Sequence, residues 1–167
     1  MENGMLSRSA LVAITLMRIL VGWHFLYEGI AKLTSPSWSA IGYLRQARGP
    51  FAEYFRWLAS QPNLLANADY ITMWGLTLVG AFLILGLFTR LASLAGIAFI
   101  LLFYLATPPF VGYFYSIPSE GSYLIVNKNL VELAALLVIL LTGSGRFAGL
   151  DRILHGLFTR RPRLAAA

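Results

Sequence analysis

The sequence predicts an all-α protein, a membrane-embedded four-helix bundle with two short amphipathic helices in its first extracytoplasmic connection. Three observations predict it. Of 167 residues, 58% are hydrophobic and 12% charged, whereas about a quarter of a soluble domain is charged. Four apolar stretches approach the roughly 20 residues that cross a hydrocarbon core. The few ionisable residues inside them recur at helical spacing rather than at random. One domain is expected over residues 1–155, followed by a basic cytoplasmic tail at 156–167.

The first span is placed near 10–33. It follows Arg8, and Arg18 interrupts its apolar run with no small-x-small cleavage site after it, so it is read as a retained helix rather than a signal peptide. The connection that follows, near 34–69, is too long for a turn. Trp38, Ile41 and Leu44 recur every three residues there, and Phe51, Tyr54, Phe55 and Leu58 do the same after Gly49-Pro50. Two short helices lying at the outer interface follow, either as a plain cap on the bundle or as a lid over a lipid-accessible cavity. The second span is placed near 70–88. The third, near 91–107, carries no charge after Arg90 and stops at Pro108-Pro109, which cannot continue a helix. The fourth is placed near 124–142.

An even number of crossings puts both termini on one side. Arg8, Arg90, Arg146, Arg152, Arg160, Arg161 and Arg163 fall on that side, and the connection at 108–122 has no Lys or Arg. The positive-inside rule therefore predicts cytoplasmic termini, against the dissent of Arg45, Arg48 and Arg56, and the expected location is a bacterial inner membrane. Tyr113, Phe114, Tyr115 and Tyr123 suit an aromatic belt on the outer side. The net charge of +6 is spread over the ends of apolar segments. It therefore points to membrane lipid and orientation rather than to nucleic acid. The absence of cysteine excludes disulfides, thiolate metal sites and a dithiol relay on this chain. The two histidines, His24 and His155, lie at opposite levels, and no metal site is expected.

The candidate site comes from the polar residues of the first and fourth spans. With Arg18 as zero, His24, Glu28 and Lys32 fall near 240°, 280° and 320° on a helical wheel, all on one face. Gly22 and Gly29 flank that face and invite a close neighbour. The fourth span repeats the pattern with Asn127, Lys128 and Glu132. A charged face turns away from lipid. Counting rise from a fourth span that starts near 124, the two lysines stand at one level and the two glutamates a turn deeper. The expectation is a buried network joining Glu28 and Glu132 to Lys128 and Lys32, with His24 beneath and Trp74 of the second span nearby. Such a network either fixes helix register or forms an intramembrane site for a quinone or lipid-like molecule. No catalytic residue is assigned. Arg18 lies deeper, and its partner is not visible in sequence.

Residues Arg18, Gly22, Phe25, Gly29 and Lys32, GLFTRLA around Arg90, YLIVNKNLVE at 123–132 and GSGRFAGLD at 143–151 resemble the DoxX family of small four-helix membrane proteins, in the family's order over about 10–155. That resemblance implies kinship with the membrane subunit of an archaeal thiosulfate:quinone oxidoreductase and with a mycobacterial protein of a sulfurtransferase and superoxide dismutase complex. It implies no activity for this chain. The leading expectation is a membrane subunit of a quinone-linked redox system, with a redox or sulfur-handling partner and quinone as its ligand, in a homo-oligomer or alone. A non-catalytic adaptor for a partner protein and a small-anion transporter are the alternatives.

Overall fold

The structure, a computed structural model, describes residues 6–116 and 124–159. Among these there are helices and no strands: α1 (Arg8–Leu33), α2 (Ile41–Arg45), α3 (Ala52–Ser60), α4 (Pro62–Leu85), α5 (Thr89–Ala106), α6 (Lys128–Thr142), α7 (Gly145–Ala148) and α8 (Leu150–Thr159). Tyr123 of the proposed belt, Arg160, Arg161, Arg163 and most of the tail lie outside the described residues.

The helices α1, α4, α5 and α6 run alternately up and down and pack in that order, with α6 returning most loosely against α1. Val21 and Phe25 of α1, Leu76 and Leu83 of α4, Ile100 of α5 and Leu136 and Ile139 of α6 share the buried core. The α1–α4 contact is the closest in the bundle because glycine faces backbone. A Cβ built on Gly22 would stand 2.9 Å from Leu83 Cβ, and one on Gly80 2.6 Å from the Gly22 carbonyl oxygen. Side chains on the outer surface are large and apolar, with Leu20 68%, Trp23 61%, Leu91 66% and Leu141 78% exposed. A surface so apolar is the part that lipid covers.

α1, α4 and α5 are long and apolar enough to cross a membrane. α6 is shorter, 15 residues. Its start is set by Asn127, whose side chain accepts a hydrogen bond from the Leu130 amide as an N-cap, so residues 124–127 lead in without helix. The fourth span thus begins four residues later than the sequence predicts. α4 begins earlier than predicted, at Pro62, a residue pre-set for the first helical position. It ends at Gly86, whose positive φ closes the helix.

The two short helices of the first connection exist as expected, but they do not form a lid. Leu44, Ala47, Ala52, Phe55 and Ala59 pack with Ala106 at the end of α5 in a second core of their own. Tyr43 donates to the Phe103 carbonyl (2.7 Å) and stands 2.6 Å from the Thr107 hydroxyl, and the Ala40 amide donates to Asp69 of α4 at 2.8 Å. This connection is a cap on α4 and α5, with Phe51, Tyr54 and Trp57 facing outward. α8 was not foreseen. In sequence its apolar residues stand at 150, 153, 154, 157 and 158, the spacing of an amphipathic helix.

Candidate functional site

The loose α6–α1 seam leaves a lateral groove of about 610 Å³. Leu20 and Val21 of α1 and Val131 and Ala135 of α6 form its apolar walls, and His24, Asn127, Lys128 and Glu132 supply the polar groups. The lining follows from helix geometry. Leu20 and Val21 lie one turn from His24, Lys128 and Ala135 one turn from Glu132, and Val131 one turn from Lys128. Leu20 and Val131, 68% and 62% exposed, border the groove where it opens sideways toward lipid.

Across the groove, His24 Nδ1 and Glu132 Oε1 stand 2.8 Å apart. Glu132 is 9% exposed while the His24 side chain is 43% exposed. A carboxylate only accepts, so the bond places a proton on Nδ1 and leaves the second ring nitrogen for another partner. Lys32 pairs with Glu28 on its own helix, one turn away, and its ammonium stands 5.6 Å from the centre of the Trp38 ring.

The network therefore differs from the sequence expectation. Glu132 does not stand level with Glu28, because its contact with His24, one turn away from Glu28 on α1, sets α6 one turn deeper than the sequence expectation. Glu132 meets His24 instead, and Glu28 turns to Lys32. The Glu28 side chain is 46% exposed, so the charged stripe of α1 runs along the seam rather than into the core. Trp74 does not line the groove; it is 43% exposed on α4, with its ring 6.3 Å from that of Tyr70. Among the described residues no group of three His, Asp or Glu side chains gathers as metal ligands.

Arg18 has a different role from its stripe-mates. It is 1% exposed and donates to the Ala148 carbonyl at 2.6 Å. Ala148 lies where α7 meets α8, against the end of α4. There Asp151 accepts hydrogen bonds from the Phe88 and Thr89 amides at 2.7 and 2.9 Å and thereby caps α5 from 62 residues away. Its own amide donates to the Gly86 carbonyl at 2.9 Å. Arg18, the segment around Arg90 and the GSGRFAGLD segment, far apart in sequence, thus join in one knot at the terminal end of the bundle.

The DoxX family profile matches residues 13–109, more than half of the chain. The chain belongs to the DoxX family. The DoxX match includes Arg18, His24, Glu28, Lys32 and the turn at Gly86, while Glu132, the partner of His24, and Asp151, the partner of that turn, lie beyond its end. Comparison with curated proteins and with solved structures gave no match.

The wall residues of the groove and Asp151 were missed in sequence. The walls carried a signal, since Leu20, Val21 and Ala135 stand three or four positions from His24 or Glu132 and Val131 three from Lys128. Asp151 carried none beyond its place in a recognised motif, because a cap supplied by a remote segment has no local spacing to reveal it.

Proposed function

We propose that this DoxX protein is the membrane subunit of a quinone-linked redox system and that the α1–α6 groove binds the quinone. The supporting observation is the hydrogen-bonded His24–Glu132 pair set in the wall of an apolar groove that opens to lipid. A ring and isoprenoid tail enter such a groove from the bilayer along Leu20 and Val131. When bound, a quinone supplies two-electron chemistry coupled to proton uptake and release. This chain supplies the proton side. His24 accepts the proton that a quinol hydroxyl gives up, and Glu132 stabilises the imidazolium that results. Electrons pass to a redox partner subunit, and the arginines gathered at the terminal end favour an inner membrane with cytoplasmic termini.

The test is a titration of the purified protein in mild detergent with decylubiquinone, read by quenching of tryptophan fluorescence. Saturable binding in the wild type, weakened about tenfold in Glu132→Gln with helicity intact, is the expected result. Equal affinity in both proteins, or no binding in either, removes the quinone site and leaves the pair as a register-fixing bond between α1 and α6.

A further inference from the structure

At the terminal end of the bundle, away from the quinone groove, a second groove of about 300 Å³ lies between the start of α5 and the α7–α8 turn. Arg90, Arg146 and His155 line it together with Thr89 and Asp151. We propose that it receives the phosphate of an anionic phospholipid, with α8 lying along the membrane surface beside it.

The first ground is charge. Arg8, Arg18, Arg90, Arg146 and Arg152 stand at this end, and Asp151 is the acidic residue among the described ones there. Each Asp151 oxygen accepts from a backbone amide, of Phe88 and of Thr89, so the carboxylate is held in the cap and a single negative charge stands against the five arginines of this end. Arg90 leans over the last turn of α6; a Cβ on Gly143 would stand 3.6 Å from its Nε and 3.7 Å from its Nη2. It thereby forms one wall of the groove, which Arg146 also lines. The second ground is an unmet hydrogen-bonding group. Thr89 lines the groove, is 1% exposed, and its hydroxyl has no hydrogen-bond partner among the described residues.

The third ground selects a lipid over a soluble anion. Leu150 and Ile153 of α8 are 39% and 61% exposed, on a helix whose polar positions include Arg152 and His155. An amphipathic helix with apolar residues uncovered beside a basic groove matches an anionic bilayer surface, which takes apolar side chains and phosphates at neighbouring depths. A phosphate ester is the common chemistry of a lipid headgroup and a free phosphate, and the uncovered apolar residues of α8 favour the headgroup.

The experiment is native mass spectrometry of the full chain released from phosphatidylcholine nanodiscs containing about one-fifth phosphatidylglycerol. The wild type is expected to retain phosphatidylglycerol selectively. Arg90→Gln with Arg146→Gln lowers that retention about tenfold, whereas Arg8→Gln with Arg152→Gln, which removes equal charge from the same end outside the groove, leaves it unchanged. Should the first pair lose helicity, Arg146→Gln alone, at an exposed position, is expected to give a smaller loss of the same sign. Equal loss in both double variants, no selectivity in the wild type, unchanged retention in the single variant, or displacement of the lipid by inorganic phosphate overturns the proposal.

Discussion

Replacing Asp151 by alanine tests the knot that joins the terminal end of the bundle. The carboxylate accepts from two backbone amides at 2.7 and 2.9 Å, and α5 has no cap from its own N-cap residue, Phe88, which is held at φ 46°. Hydrogen bonds to a charged group contribute about 1.5–3 kcal/mol each. Phe88 is 53% exposed, so water replaces part of what is lost, and a total of about 2–4 kcal/mol is expected. At about 2–4 °C per kcal/mol for a chain of this size, the melting temperature falls by roughly 5–15 °C. Asp151→Asn keeps one acceptor oxygen and loses about half as much. Thermal unfolding in mild detergent, followed by far-ultraviolet circular dichroism, reads both. A melting temperature for Asp151→Ala equal to that of the wild type would refute the reasoning, and a control exists in Gly145→Ala, whose new Cβ would press on Thr89 and Asp151 from the other side.

Other consequences follow from the same geometry. Gly80→Leu forces α4 off α1, since a Cβ there already stands 2.6 Å from the Gly22 oxygen; loss of the monodisperse folded peak on size exclusion is expected. Burial pushes the Tyr43 hydroxyl up to about 12 from an ordinary 10.0. A raised pKa means the folded form holds its proton more tightly, so Tyr43 contributes fully below pH 10.0 and its contribution, about 2–3 kcal/mol, is lost as pH climbs toward about 12. Melting curves across that window should steepen in pH dependence for the wild type and flatten for Tyr43→Phe. Replacing His24 and Glu132 together by leucine should leave stability within about 1–2 kcal/mol of the wild type while abolishing quinone binding, whereas His24→Leu alone strands a buried carboxylate and destabilises more. Ala135→Trp fills the groove one turn from Glu132, and loss of decylubiquinone binding with helicity retained is its expected signature.

The span order was legible because apolar length and helical spacing are local properties of sequence. So were the cap-like helices of the first connection, and the close approach at Gly22 and Gly29. The register between α1 and α6 was not, since it is set by how the two helices pack, which no local spacing reveals. The start of α6 was not legible either, because it rests on the Asn127 cap rather than on the apolar run that begins at Leu124. A shift of one turn redirected Glu132 from the level of Glu28 to His24. Arg18 shows the same limit from another side. Its position on the α1 stripe suggested a common purpose with His24 and Glu28, yet its partner is a carbonyl 130 residues away. Trp74 shared an estimated depth with the site, but the rotation of α4 turned it outward toward Tyr70.

The central claim is that a lipid-soluble ligand sits between α1 and α6 beside His24 and Glu132. Its most direct test is photolabelling of the membrane-reconstituted protein with an azidoquinone, followed by peptide mapping. The account predicts label on residues of 18–28 and 126–135, competed by decylubiquinone and lost in Glu132→Gln. Label confined to the outer faces of α4 and α5, or spread over all lipid-facing surfaces without competition, would contradict it.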